Sequence, residues 1–199
     1  MSIRISNMKD HSISVYQAIY DTSIVAKYLD TATVQRSAKF YKTNFPSDMI
    51  FTEADASTSY EQVEKLTREF NIHHRACIGS LIYLLFTRVY LSFVVHKLAK
   101  FSPNPGKVYF ERLVHLLRYI RYNKTLGLNY CADMKDPPLS DLLKQASIKT
   151  EKQLMAFYDS SWQVCTDTGR STGAYIIFYQ GGPIEHITHF PGPVDQSIP

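Results

Sequence analysis

Apolar residues recur along this chain with two different periods, and the change of period divides it. Near the start, ISVYQ at Ile13 to Gln17 alternates apolar and polar positions, the spacing of a strand. From Ala18 to Leu29, the residues Ile19, Ile24, Val25, Tyr28 and Leu29 make a loose stripe that predicts a helix. Thr31 to Ser59 is polar, carries Pro46 and holds no period, so a long loop or linker is expected there. A short charged helix over Tyr60 to Phe70 leads into a helical region from His73 to Asn123. Its clearest member follows the turn-like SPNPGK at Ser102 to Lys107. There Tyr109, Leu113, Leu116, Leu117 and Ile120 fall within one sector about 100° wide. Lys107, His115, Arg118 and Arg121 fall on the opposite side.

The second period begins later. LGLNY at Leu126 to Tyr130 reads as a strand, and DMKDPPLSD, with its paired prolines, marks a boundary. From Glu151 onward, QLMAFYD, GAYIIFYQ and PIEHITHF read as three strands. Gln180-Gly181-Gly182-Pro183 between the last two is a short hairpin signal. The tail PGPVDQSIP predicts no element. One apolar run, Ile78 to Val95, has the length of a membrane span, but Arg88 stands at its middle. A central Arg costs about 2.5–3.5 kcal/mol in a bilayer. Two short buried helices, broken near Thr87-Arg88, and no membrane association are therefore expected.

Composition narrows the class. A chain of 199 residues with 45% hydrophobic residues can bury a real core in one or two domains. Cys77, Cys131 and Cys165 are odd in number, far apart and lack a CxxC pair, which fits a reduced intracellular chain, cytoplasmic or nuclear. The N-terminal MSIRISNMKDHSIS holds no apolar run suited to a signal peptide. The net charge of +4 is unevenly spread. Between Leu81 and Tyr130, eight Lys or Arg face the single acid Glu111, so that segment is +7 and the remainder −3. A basic middle suits a polyanion partner; an ordinary solvated helix surface explains it as well. The basic side after Ser102 could track phosphates without reading sequence, and charge alone leaves both readings open.

The candidate chemistry lies in FYDSSWQVCTDTGRSTGAYIIF, from Phe157 to Phe178. Asp159 and Asp167 flank the sole tryptophan, Trp162. A carboxylate at a strand end beside a second strand can hold a divalent metal; it can also be an ordinary turn. The histidines offer no metal site: His73 and His74 are adjacent, and His186 and His189 lie three apart on a predicted strand, on opposite faces.

Several stretches, taken in order, resemble the polyprotein of Ty/copia-type LTR retrotransposons, over nearly the whole chain. That family's Tyr-Arg before Gly-Ser-Leu-x-Tyr-Leu resembles His74-Arg75 before IGSLIYL. Its Thr-Arg-Pro-Asp with an apolar run resembles TRVYLSFVV, and its Asn-Pro block and Arg-x-Leu-Arg-Tyr-Leu helix resemble NPGK and HLLRYIRYNKTLGLNY. Its Asp-Ala-Asp-Trp and Asp-x-x-x-Ser-Thr-x-Gly-Tyr resemble DSSW and DTGRSTGAY. The resemblance implies an α+β chain in which a mainly helical thumb- and connection-like region precedes a truncated, ribonuclease H-like, three-stranded antiparallel sheet. Residues 1–72 would be the end of a reverse transcriptase palm, thumb entry and polar linker. Residues 73–150 would be thumb and connection helices, and 151–199 the opening of the ribonuclease H-like domain.

In that family the first ribonuclease strand ends in an Asp that binds Mg²⁺, and Asp159 takes that position. In-line attack on a phosphodiester uses paired cations held by several carboxylates. Trp162 would be a packing residue. Arg88, Lys107, Arg118 and Arg121 would contact an RNA–DNA hybrid or duplex, weakly and without sequence preference. Two departures stand out: Ser161 replaces the family's second Asp, and TRVY has lost Pro and Asp. The polymerase's paired aspartates would precede residue 1 and the next ribonuclease carboxylate would follow PGPVDQS. The segment is thus expected to be inactive alone, with Mg²⁺ belonging to the parent enzyme and none held here. A catalytic parent, a non-catalytic nucleic-acid-binding module and a decayed relic all remain compatible, and the oligomeric state stays open.

Overall fold

A computed structural model describes residues 3–7, 12–31, 41–45, 51–124, 126–131, 154–161 and 172–189. It divides into two compact units, Met1–Ile3 with Tyr16–Leu126, and Arg4–Val15 with Gly127–Pro199. The mixture of helices and antiparallel sheet is α+β, as the periodicities predict.

The first unit is helical. Its first helix, α1 (Ala18–Ile24), runs straight into a π-helical turn, Val25–Leu29, so the predicted helix over 18–29 forms with a widened second half. Widening keeps Val25, Tyr28 and Leu29 on the buried side together with Ile24. α2 (Tyr60–Phe70) starts where Ser59 Oγ accepts from the Gln62 backbone N–H, while Gln62 Oε1 accepts from the Thr58 N–H at 3.0 Å. That reciprocal cap explains the start. Asn71, at φ 52°, ends it in the left-handed conformation that asparagine tolerates.

α3 (His74–Leu84) and α4 (Ser92–Lys100) are the two short helices predicted on either side of Thr87-Arg88, with a short 3₁₀ turn, Val89–Leu91, between them. No described helix is long and apolar enough to cross a membrane. α5 (Lys107–Tyr122) begins after SPNPG and lies at the centre of the unit. Leu113, Leu116, Leu117 and Ile120 are fully enclosed, and Phe110 stacks on Phe70 of α2 with ring centroids 5.2 Å apart.

Two expectations change here. Gln17, read as the end of a strand, is buried and accepts a hydrogen bond from the Thr87 hydroxyl at 2.8 Å. Where described, the predicted linker over 31–59 is a lid on the core. Phe45 and Phe51 pack against the core, Tyr109 donates to the Thr52 carbonyl, and a 3₁₀ turn forms at Glu53–Asp55. The apolar residues responsible are too widely spaced to show a period. Residues 16–126 form one unit, so the boundary expected at residue 72 falls inside it.

The second unit holds two small sheets. β1 (Arg4–Asn7), β2 (Ile13–Tyr16) and β3 (Leu128–Tyr130) form the first, in that order, with Ile13 opposite Tyr130 and Val15 opposite Leu128. β4 (Leu154–Ser161), β5 (Thr172–Tyr179) and β6 (Gly182–His189) form the second, an antiparallel meander matching the three strands read from the sequence. Gln180 at φ 50° and Gly181 at φ 77° make its two-residue turn. Positive φ at both positions gives the hairpin the twist of its strands, and Gly181 accepts it at no steric cost. The register slips between Ile177 and Phe178, opposite Pro183, where a missing N–H suits a bulge. The Cys131 N–H donates to the Gln180 carbonyl at 2.8 Å and Tyr130 Oη to the Pro183 carbonyl at 2.9 Å, which ties β3 to the meander.

Candidate functional site

The structure does not bring the residues singled out above together. Asp159 lies on β4 with Ala174 as its partner on β5, and its side chain is exposed. No three His, Cys, Asp or Glu among the described residues could jointly hold a metal ion. Mg²⁺ prefers near-octahedral oxygen coordination, which one exposed carboxylate does not supply. The described residues therefore do not fit a Mg²⁺ centre. Trp162, Asp167 and residues 169–171 lie outside the described residues.

Arg88 requires the clearest correction. It is 0% exposed, with its guanidinium on the Asp21 carboxylate and Nη1 donating to Tyr90 Oη at 2.7 Å. A guanidinium sealed in this way cannot touch a phosphate. Burial pushes the Asp21 carboxyl above its ordinary value against the opposing pull of Arg88, and pushes the Tyr90 hydroxyl up to about 12. The pair joins α1 to the break after α3. Enclosed charges of this kind need each other, because either one alone would carry its full desolvation penalty.

The basic side of α5 is only partly open. His115 Nε2 lies 2.9 Å from the Thr43 carbonyl, its ring lies against Tyr41, and Arg118 is 9% exposed. Arg121 is paired with Asp30, at the end of the π turn, and Lys107 lies 3.6 Å from Glu69 of α2. Of the basic residues on this side, His115 and Arg118 are covered by elements the helical wheel could not foresee, Arg121 is half-buried and Lys107 stays exposed.

α3 carries an open face. Arg75, Gly79, Ile82 and Phe86 are exposed at spacings of four, three and four, so they form one stripe running off the end of the helix. Phe86 is 68% exposed. Tyr83 lies beside the stripe, edge-on to Tyr20 at 5.1 Å and to Phe86 at 5.6 Å. Ser80 fixes α1 alongside: Tyr20 Oη donates to its carbonyl at 3.1 Å, and Tyr28 Oη lies 3.2 Å from its hydroxyl.

Gly79 is the informative member. A glycine inside a helix costs about 1 kcal/mol relative to alanine. Close packing usually explains it, but a Cβ built on Gly79 meets nothing within 4 Å. The described residues give no reason for the missing side chain. An approach from outside would give one. The signal was present in IGSLIYL, whose Gly-Ser pair places an open position next to an anchored one, but helical periodicity gives a glycine no weight.

Comparison with known proteins gives several relatives. The chain is 29% identical over 111 residues to the "Retrovirus-related Pol polyprotein from transposon RE1" of Arabidopsis thaliana, and 30% identical over 111 residues to that from transposon RE2. Each match takes in 56% of this chain but only 6% of the polyprotein. It is 33% identical over 94 residues to the "Uncharacterized mitochondrial protein AtMg00240" of the same plant, covering 47% of this chain and 70% of that protein. No family model matches the chain, and no solved structure matches it.

Proposed function

We propose, from the premise that this chain belongs to the family of the Arabidopsis mitochondrial protein AtMg00240 and is a homologue of transposon-borne, retrovirus-related Pol polyproteins, that its helical unit grips nucleic acid through the outer stripe of α3. In this reading the chain is a reverse transcriptase thumb-like segment of the Ty/copia type, and β4, β5 and β6 are the opening strands of a ribonuclease H-like domain. The partner is an RNA–DNA hybrid or duplex, held without sequence preference.

The observation that carries the reading is the open Gly79 in a stripe of Arg75, Ile82 and Phe86. A helix without a side chain at one exposed position can bring its backbone close to another surface. A cation at one end and an aromatic at the other suit a phosphate and a sugar or base edge. Catalysis is not assigned. The 199 residues contain no Asp-Asp pair, and Asp159 has no companion carboxylates among the described residues.

Fluorescence anisotropy with a labelled RNA–DNA hybrid at low salt tests it. Gly79→Leu, which fills the open position without touching the core, should weaken binding about tenfold or more, equivalent to about 1.4 kcal/mol. Unchanged affinity in a variant that melts like the parent would remove α3 as the interface.

A further inference from the structure

β4 and β6 are the two outer strands of the meander, and their edges are finished differently. β6 opens with Gly182-Pro183, and Pro183 has no N–H to offer a further strand. Ile177 pairs with Glu185 and Phe178 with Pro183, which leaves Ile184 as an extra residue on β6. Such a bulge bends the strand and interrupts its edge. β3 is also seated against the start of β6, through Tyr130 Oη on the Pro183 carbonyl and the Cys131 N–H on the Gln180 carbonyl. A Cβ built on Gly182 would lie 2.4 Å from the Tyr130 ring. Proline, bulge and cover are the usual ways in which a sheet closes an edge.

β4 has none of these among the described residues. Its eight residues pair with β5 from Leu154 opposite Tyr179 to Ser161 opposite Thr172, and no described strand lies on its other side. Alternate residues of a strand turn their N–H and C=O groups to each side, so half of those on β4 point away from β5. Leu154, Ala156, Tyr158, Asp159 and Ser160 are exposed, Leu154 by 58% and Tyr158 by 74%. The first five residues, Leu-Met-Ala-Phe-Tyr, include no charge, proline or glycine. An apolar, uncharged edge of this length is a template for another strand.

We infer that this edge takes a second copy of the chain, the two β4 strands pairing antiparallel about Ala156 so that two meanders form one six-stranded sheet. Charge and register select this partner. Parallel self-pairing would set Asp159 beside Asp159, and like charges directly opposite are destabilising. A two-fold axis through Ala156 sends the two Asp159 carboxylates to opposite ends of the paired stretch. Leu154 of each copy then falls opposite Tyr158 of the other on one face, and Met155 opposite Phe157 on the other face. The two exposed apolar residues of the edge thus become each other's cross-strand partners, twice over, because a two-fold contact is self-complementary. An axis through Phe157 would instead set Asp159 opposite Met155. A strand-edge contact falls at the small end of interfaces, below about 1,200 Å², so the dimer exchanges with monomer as concentration changes. None of this depends on whether α3 holds nucleic acid.

Sedimentation equilibrium of the full chain over a wide range of concentration tests the dimer, and a monomer–dimer equilibrium is expected. Ala156→Lys, at an exposed position, sets two like charges together at the axis and should weaken dimerisation about fivefold. Ala156→Glu should do the same, and an equimolar mixture of the two variants should dimerise again, because opposite charges then meet. Hydrogen exchange of the unaltered chain needs no variant to fold: amides of β4 should slow as concentration rises, and those of α5 should not. A parent that stays monomeric at every concentration overturns the dimer and leaves the edge to a strand from another source. A dimer that ignores Ala156→Lys, or a mixture that fails to restore it, overturns the pairing about Ala156. Protection that grows on β6 or α3 instead of β4 overturns the choice of edge.

Discussion

α5 and α3 both alternate apolar residues with arginine and histidine, and they pack against each other through His74 and Phe110. Yet α5 buries ten of its sixteen residues, basic ones included, whereas α3 buries five of eleven and keeps a continuous open side. The difference does not lie in composition. α5 is flanked by the 41–45 segment, the π turn and α2, so His115 and Arg118 are covered and Arg121 is half-buried, while Lys107 stays at the surface. α3 packs on α1 through Ser80 and on α5 through His74, and the face that carries Arg75, Gly79 and Ile82 is left to solvent. A basic residue therefore reveals an interface only once its neighbours are known.

The largest effect that could break this contrast is at Arg88. Arg88→Ala leaves the Asp21 carboxyl enclosed without its cation and should cost about 3–5 kcal/mol in a urea melt. Arg75→Ala, on the open side, should stay within about 0.5 kcal/mol of the parent. Replacing the pair together, Asp21→Leu with Arg88→Met, should recover most of the loss, because neither charge is then stranded. If Arg88→Ala melted like the parent and instead weakened hybrid binding, the arginine would belong with the phosphate contacts expected from the sequence.

The next effect depends on pH and acts where the two helices touch. Burial holds His74 at about 4 against an ordinary 6.5. Between these values the unfolded chain binds a proton that the folded chain refuses. Stability is therefore full above pH 6.5 and falls as the pH drops towards 4. The loss attributable to this residue is about 3 kcal/mol. Melts of the parent and of His74→Gln across that range should differ in slope, with the variant flatter. Parallel slopes would mean that the ring reaches water, and the closed contact between α3 and α5 would have to be redrawn.

Much of this architecture was legible in the sequence. α2, the two helices around Arg88, α5 and the β4 to β6 meander all followed from apolar period and turn residues, because each buries one face against neighbours in the usual way. The lid formed by 41–45 and 51–56 was not legible: Phe45 and Phe51 are isolated apolar residues whose value depends on a core built from distant segments. The candidate site failed for a related reason. Charge on a helical wheel cannot distinguish Arg118, covered by tertiary packing, from Arg75, left in the open. Gly79 was visible in the motif, but its meaning needed the empty space around it.

That empty space gives a smaller test with opposing signs. Gly79→Ala adds one methyl group to an open helix position and should stabilise the unit by up to about 1 kcal/mol. The same methyl should weaken hybrid binding. A gain in stability with a loss of affinity marks a position kept for a partner. A gain in stability with no loss would leave Gly79 unexplained by any interface.

The smallest effect is at Arg121, and it separates the two helices most directly. Its pair with Asp30 is partly exposed, and such pairs contribute about 0.2–1 kcal/mol, so Arg121→Ala should scarcely move the melt. Binding is the more telling measurement. Each phosphate contact on a duplex contributes about 0.9 to the fall of log K with log salt. An arginine occupied by Asp30 adds nothing to that slope, whereas Arg75 should add about one contact. Salt titrations of the parent, Arg75→Ala and Arg121→Ala on the same hybrid should therefore give a flatter line for Arg75→Ala alone. If Arg121→Ala flattens it equally, the Asp30 pair opens on binding. The rim of α5 would then be part of the grip, and the contrast between a closed α5 and an open α3 would fail.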